Sequence, residues 1–253
     1  TWEVDVTIPD FMFRNAFTNE TSMATFIDAI FTAMDNMMTL ALENNANLTR
    51  ASFIARKIKG GKPCGAINLL HEYNTLTNAN LTVEGALMNA EFLAWASRSI
   101  NLWVKRMSKM SVLFNEEGYK RHTPKDKLVV NLLQDFTSAC DTFLGANTFH
   151  DELVKLPMYD SVAYWQGAGE SFDFDDTSAI NIKLDDTEHG TVSKKGIIGV
   201  IYDYEAMGVT LNERRSTSER NNHDEYTNYY NKANIGYFND MSENGIVFYL
   251  EAV

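Results

Sequence analysis

The sequence has few cysteines, no long apolar run and no excess of positive charge, and each absence excludes a class of protein. Two cysteines in 253 residues, Cys64 and Cys140, are too few for a disulfide framework. The most apolar stretch, residues 26–42, is interrupted by polar side chains and falls short of the roughly 20 residues that span a bilayer. We therefore expect no membrane association. A net charge of -12 also argues against a broad nucleic-acid-binding surface, because neutralising phosphates requires clustered Lys and Arg.

Motifs for catalysis and for phosphate binding are also absent. No glycine-rich loop has the dinucleotide-binding spacing, and no Lys-Ser or Lys-Thr pair follows a glycine run. Cys64 with His71, or Cys140 with His150, would supply a thiol and a base, but neither cysteine lies in a recognisable nucleophile motif. We therefore expect a protein without catalytic residues and without a cofactor.

The best candidate for a metal site is the acidic segment from Asp173 to Asp186. Its spacing does not match an EF-hand loop, which needs a central glycine and a terminal glutamate. His189 beside it could add a transition-metal ligand, but a single imidazole on a glycine-containing turn is weak evidence. A solvated acidic loop is the preferred interpretation, and no metal ligand is assigned.

A long amphipathic helix is predicted near the start of the chain. Apolar residues recur at helical spacing from Ile27 to Leu42, Thr21 or Ser22 offers an N-cap, and Gly60-Gly61 ends the pattern. A second helix is predicted from about Glu84 to Met110.

From residue 127 the pattern alternates between strands and helices, which predicts an α+β domain with a mixed sheet flanked by helices. The predicted strands are Leu128 to Leu133, Val162 to Trp165, Ala179 to Leu184 and Ile197 to Tyr202. The predicted helices run from Asp135 to Gly145 and from Asn147 to Lys155.

The last part of the chain carries the most information. A basic loop from Met207 to Arg220 precedes an aromatic strand from Tyr226 to Asp240. The turn dipeptide Asn244-Gly245 then leads into a short apolar strand from Ile246 to Leu250. The local interpretation is a terminal hairpin.

This arrangement resembles the end of a tailed-phage major capsid protein with the Hong Kong 97-type fold, particularly the versions of short-tailed phages. Those proteins finish with an arginine-containing loop, a strand rich in asparagine and tyrosine, and a closing strand. The similarity extends upstream. Thr123 to Phe136 resembles the entry into the family's axial domain, and Gly196 to Gly208 resembles the strand and short helix that close it.

The resemblance implies an α+β, Hong Kong 97-like capsid fold with two domains. A peripheral domain with a long spine helix and long strands is expected at 1–83 and 212–253, and an axial domain with a mixed sheet flanked by helices at 84–211. Family proteins carry an N-terminal arm and an extended hairpin loop ahead of this region. Because Thr1 enters a strand pattern directly and no initiator methionine is present, we expect these parts to lie upstream of the printed sequence.

The resemblance also implies a structural function. Many copies would assemble in the bacterial cytoplasm into an icosahedral shell around double-stranded DNA, with portal and scaffolding proteins as partners and no sequence-specific DNA binding. Arg214, Arg215 and Arg220 are the candidates for salt bridges between subunits, because the guanidinium fork pairs well with carboxylates. The alternative for these arginines is a solvated surface loop.

Other functions remain open at this point. An encapsulin-like shell has the same fold but encloses cargo enzymes, so nucleic acid in purified particles would distinguish the two. An α+β enzyme is opposed by the missing motifs. A secreted surface module would give meaning to the Asn-x-Thr sequons at Asn19, Asn47 and Asn80, although no signal peptide is recognisable.

Overall fold

The computed structural model describes residues 2–11, 20–60, 65–147, 158–165, 178–184 and 190–252. The helices are α1 (Glu20–Lys59), α2 (Leu69–Thr77), α3 (Val83–Leu87), α4 (Ala90–Met107) and α5 (Gln134–Asn147). The strands are β1 (Trp2–Pro9), β2 (Ala66–Asn68), β3 (Leu128–Leu133), β4 (Asp160–Val162), β5 (Ile180–Lys183), β6 (Thr191–Lys194), β7 (Ile197–Asp203), β8 (Met207–Asn221), β9 (Tyr226–Asn239) and β10 (Gly245–Tyr249). The predicted helix from Asn147 to Lys155 lies almost wholly outside the described residues.

The predicted long first helix is confirmed, because α1 runs without a break over 40 residues. Met34 and Met38, one turn apart, are each only 1% exposed, as expected for the buried stripe of an amphipathic helix. The predicted second helix is wrong in one respect, since α3 and α4 replace it. Asn89 interrupts the helix because its side-chain oxygen accepts a hydrogen bond from the backbone N–H of Phe92 and caps a new helix.

A five-stranded mixed sheet has the strand order β2-β10-β7-β3-β4. β7 pairs antiparallel with both β3 and β10, whereas the outer pairs β2/β10 and β3/β4 are parallel. Every residue of β7 is buried, as expected for a central strand covered on both faces. The predicted mixed sheet with strands at residues 128–133 and 197–202 is therefore confirmed. β5 and β6 form a separate two-stranded ladder.

A three-stranded sheet has the order β1-β9-β8. β1 pairs antiparallel with β9 from Trp2 opposite Ala233 to Pro9 opposite Tyr226. β8 and β9 follow each other through a short turn in which Glu225 has a φ of 51°. The side-chain oxygen of Asn221 accepts hydrogen bonds from the backbone of His223 at 2.9 Å and Asp224 at 3.3 Å, which stabilises this turn.

Two predictions for the end of the chain are wrong. The predicted basic loop is the long strand β8, and the predicted terminal hairpin does not form because β9 and β10 belong to different sheets. The side chains of Ile246, Val247 and Phe248 in β10 are 0% exposed, so this strand needs a position covered on both faces. β8 is polar because it is an exposed edge strand, where charged side chains oppose pairing with other chains.

The chain divides into two compact units. Thr1–Ala46 with Val209–Phe238 is called here the three-strand unit, and Asn47–Gly208 with Asn239–Val253 the five-strand unit. These boundaries differ from the expected ones, 1–83 with 212–253 and 84–211, because β2 and β10 pair within the five-stranded sheet. The correspondence of the units to a peripheral and an axial domain stays a prediction.

Candidate functional site

The arginines singled out in the sequence lie on the edge strand β8 of the three-strand unit. Arg214 forms an ion pair with Asp35 of α1. The side-chain amide of Asn231 donates a hydrogen bond to the same carboxylate oxygen at 3.0 Å. Asp35 therefore joins the helix to two neighbouring strands, and Arg214 is already engaged within its own chain.

Arg220 is also paired within the chain. Its guanidinium nitrogen lies 2.7 Å from a carboxylate oxygen of Asp10, which follows β1. The Asp10 side chain is only 12% exposed, whereas that of Arg220 is 60% exposed. A mostly buried carboxylate benefits from a partner, so this pair holds the end of β8 close to the end of β1.

Arg215 differs from both neighbours. It is exposed, and within the described part of the chain it has neither a hydrogen bond nor an ion pair. Because side chains alternate along a strand, Arg215 lies on the sheet face opposite Arg214. The structure therefore separates these arginines: two are held by carboxylates on their own chain and one is available.

The face that carries Arg215 is defined here as the outer face, and it includes Glu3, Thr7, Asn228, Tyr230 and Lys232. The Lys232 ammonium lies 3.1 Å from Glu3 and 5.3 Å from the ring centroid of Tyr230. Thr7 donates a hydrogen bond to Asn228 at 2.7 Å, and Asn228 donates one to the Tyr230 hydroxyl at 3.1 Å. The opposite face packs on α1, where Phe31 and Tyr229 make an edge-to-face contact at 5.4 Å.

The described residues offer little reactive chemistry. Cys140 is 2% exposed, its sulfur lies 3.7 Å from the Ser97 hydroxyl, and burial raises the pKa of its thiol to about 11. The reactive thiolate is therefore scarce at neutral pH. Cys64, His150, His189 and all the carboxylates of the acidic segment from Asp173 to Asp186 lie outside the described residues. Within the described ranges, no group of three or more His, Cys, Asp or Glu side chains is placed to hold a metal ion.

Sequence reasoning missed Lys57, which is buried in the five-strand unit with an exposed fraction of only 2%. Its ammonium donates hydrogen bonds to the carbonyl oxygens of Phe114 at 3.1 Å and Glu243 at 3.4 Å. It also lies 5.3 Å from the ring centroid of Phe53. Lys57 lies in the last turn of α1, where an exposed lysine normally complements the helix dipole. The sequence therefore gives no indication that Lys57 is buried.

Burial lowers the pKa of Lys57 to about 8 from its ordinary value of 10.5, against the opposing charges of Glu116 and Asp240. Between these two values the unfolded chain binds the proton more tightly than the folded chain, so the free energy of unfolding rises with pH. We expect Lys57 to contribute a rise of about 1 kcal/mol between pH 7 and 9. Urea denaturation across this range should show a steeper rise for the wild type than for Lys57→Met.

Cys140 affects the free energy of unfolding in the opposite direction to Lys57. Because the wild type and Lys57→Met both contain Cys140, comparing them isolates the effect of Lys57. The raised pKa of Cys140 makes the folded chain hold a proton more tightly than the unfolded chain, which lowers the free energy of unfolding above pH 9. Identical pH dependence in the wild type and Lys57→Met would show that Lys57 is not desolvated.

No helix in the described part of the chain is both long enough and apolar enough to cross a membrane. No match was found among curated proteins.

Solved structures identify the fold. The chain is similar to the capsid structure of Staphylococcus phage Andhra, with 11% identity and a TM-score of 0.60 over 99% of this chain and 70% of the other. It is similar to a chain in the structure of the head fiber and inner core protein of bacteriophage P68, with 10% identity and a TM-score of 0.64 over the same shares. The capsid structure of cyanophage P-SCSP1u matches with 13% identity and a TM-score of 0.52, over 100% of this chain and 72% of the other.

These similarities confirm the predicted α+β, Hong Kong 97-like capsid fold. The family assignment comes from a separate observation. The model of the family described as "Phi29-like phage major capsid protein" matches residues 2–249, which is nearly the whole chain. The predicted relationship to phage major capsid proteins is therefore confirmed: this chain belongs to the Phi29-like phage major capsid protein family.

Proposed function

We propose that many copies of this chain assemble into a closed icosahedral shell that encloses double-stranded DNA in a phage head. The observation that carries the proposal is the family match over residues 2–249. Portal and scaffolding proteins are the expected partners, and assembly in the host cytoplasm precedes incorporation into the virion. The net charge of -12 is compatible with a lining that does not adhere to packaged DNA. An encapsulin-like compartment is not favoured, since the matching family is one of phage capsid proteins.

The function requires assembly and no bond-making step. Cys140, the described cysteine, has a thiol that burial keeps protonated, so the proposal assigns it no reaction. In this proposal the three-strand unit, with the first part of α1 and the long strands β8 and β9, is the peripheral domain. The five-strand unit is the axial domain.

Among the arginines of β8, Arg215 is the proposed contact to a neighbouring subunit. Arg214 and Arg220 already pair with Asp35 and Asp10 of their own chain, whereas Arg215 is exposed and without a described partner. An acidic chain presents carboxylates on its neighbours, and the planar guanidinium of arginine binds a carboxylate through two parallel hydrogen bonds.

We expect Arg215→Ala to raise the assembly threshold about five-fold without changing the melting temperature. The loss of about 1 kcal/mol per contact corresponds to this factor, because 1.4 kcal/mol is tenfold. The full-length protein and the variant would be compared by sedimentation velocity and circular dichroism at matched salt, with the scaffolding partner supplied.

Arg214→Ala is the matched control, because it removes the same charge one residue away but breaks a pair within the chain. It should affect stability slightly and the assembly threshold less than Arg215→Ala does. An unchanged threshold for Arg215→Ala would remove this residue from the interface. Wild-type protein that never forms particles would count against the shell itself.

A further inference from the structure

The first part of the connection between α4 and β3, residues 108–121, is defined here as the apolar-tipped loop. Its first part exposes large apolar side chains: Met110 is 69% exposed, Leu113 45% and Val112 41%. Surface loops are usually polar, and adjacent exposed apolar side chains mark interaction sites. The tip, Met110 to Leu113, therefore requires an explanation.

Hydrogen bonds within the loop hold the tip firmly. Ser111 and Arg121 exchange two backbone hydrogen bonds, of 2.8 and 3.0 Å. The buried side chain of Asn115 accepts a hydrogen bond from the Tyr119 N–H at 2.9 Å and donates one to the Tyr119 carbonyl at 2.7 Å. The first pair fixes the backbone of the tip itself at Ser111, and the second fixes the chain between Asn115 and Tyr119, so the conformation of the loop is built in.

The loop is also anchored to the rest of the five-strand unit. The carbonyl of Phe114 accepts hydrogen bonds from the Gly245 N–H at 2.9 Å and from the buried Lys57 ammonium at 3.1 Å. Arg121 forms an ion pair with Glu243. Buried polar groups thus hold the apolar side chains in solvent, and a preorganised surface of this kind loses little entropy when it binds a partner.

A pocket in the same unit has an apolar lining and a volume that suit such a tip. Its volume is about 470 Å³, within the range of sites that bury apolar groups. The apolar part of its wall is formed by Val104, Leu128, Val129, Val130, Met158 and Tyr159. Met158 is 98% exposed at its edge.

Charged side chains surround both the tip and the pocket, and they can favour particular orientations of one copy relative to the other. Lys105, Lys125, Asp126 and Asp160 line the polar part of the pocket. The exposed charges of the loop are Lys109, Glu117 and Lys120, whereas Glu116 is half-buried and Arg121 is paired with Glu243. Both surfaces therefore carry charges of both signs, so arrangements that oppose unlike charges are favoured.

We propose that the tip of one copy, Met110 to Leu113, docks into the pocket of a second copy. This inference rests on the proposed assembly of the chain into a shell, which supplies the second copy. The contact joins two unlike surfaces, so one subunit contributes the tip and its neighbour contributes the pocket.

Crosslinking between two variants, each with one introduced cysteine, tests the contact. Met110→Cys and Met158→Cys would be made separately in a Cys64→Ser background, and one of them would carry a small size tag. Cys140 can stay because its buried thiol, with a pKa of about 11, reacts poorly. The chains would be mixed under assembly conditions and treated with a short bismaleimide.

We expect a mixed dimer as the main crosslinked product. Leu76→Cys, at a position 72% exposed in α2, replaces Met110→Cys in the control mixture and should give little mixed dimer. Particles that form without a crosslink between the Met110→Cys chain and the Met158→Cys chain would overturn the docking contact and leave the shell assignment standing. A mixture that forms no oligomer at all would overturn both.

A charge on the tip provides a second test. Leu113→Asp should raise the assembly threshold at least ten-fold and leave the circular dichroism spectrum unchanged, because the side chain is exposed in the monomer. Leu76→Asp is the matched control and should assemble like the wild type. Normal assembly of Leu113→Asp would refute the contact, and so would a loss of assembly that Leu76→Asp shares.

Discussion

Gly196→Ala should destabilise the five-strand unit by about 3 kcal/mol or more. Gly196 has a φ of 73°, which costs an L-residue about 1 to 2 kcal/mol. A Cβ at this position would also overlap the carbonyl oxygen of Leu250, a backbone atom that cannot rotate away. Relieving that overlap would disturb the hydrogen bond of 2.7 Å from the Leu250 N–H to the Gly196 carbonyl, and overpacking of this kind typically costs a further 1 to 3 kcal/mol.

Gly118→Ala separates the two costs. Gly118 has the same φ of 73°, but a Cβ there would meet no atom within 4 Å. It should therefore lose only the conformational part, about 1 kcal/mol. The measurement is urea denaturation followed by circular dichroism. If the two variants proved equally stable, the close approach of Leu250 to Gly196 would be refuted.

Met34→Asp should prevent stable folding of the three-strand unit. Met34 is 1% exposed, so the substitution removes a buried thioether side chain and places an acidic group in an apolar environment. The lost packing costs about 2 to 5 kcal/mol and the polar burial adds to it, whereas a domain has only about 5 to 15 kcal/mol in total.

Met37→Asp is the control, because Met37 lies on the same helix but is 57% exposed. It should unfold within about 0.5 kcal/mol of the wild type. Limited proteolysis and thermal melting would compare the two. Rapid cleavage within residues 209–238 is expected only for Met34→Asp, and equal resistance of both variants would show that the stripe faces solvent.

The sequence predicted those helices and strands whose side chains meet the same environment along the whole element. The helical spacing from Ile27 to Leu42 and the apolar strands at residues 128–133 and 197–202 are examples, and the structure confirms them. The family resemblance added the fold, which local patterns alone do not determine.

The failed predictions share a different cause, which is non-local pairing. Whether residues 207–220 form a loop or an edge strand depends on β9 beside them, because an exposed strand and a loop have similar polar composition. The turn dipeptide Asn244-Gly245 suggested a hairpin with β9. The strongly buried β10 instead pairs inside the five-stranded sheet, where both of its faces are covered. Local spacing gives no information about such a choice.

The candidate site was predictable in part. Clustering of arginines between residues 214 and 220 was visible, but their separation into two paired residues and one available residue depends on Asp35 and Asp10, far away in the sequence. The burial of Lys57 depends on loops that approach from residues 114 and 243. Neither the pairing of the arginines nor the burial of Lys57 can be predicted from the neighbouring residues in the sequence.

The position of β10 has a consequence for synthesis on the ribosome. This strand lies between β2 and β7, so the five-stranded sheet cannot close before residue 249 has left the exit tunnel. Until then β2 has no partner and β7 is paired on one side only, with β3, and unpaired strand edges favour aggregation. At a rate of roughly 5 to 20 residues per second, synthesis of the stretch from β7 to the end of β10 takes several seconds, and the sheet stays open for that time. The nascent protein would be most dependent on chaperones during this interval.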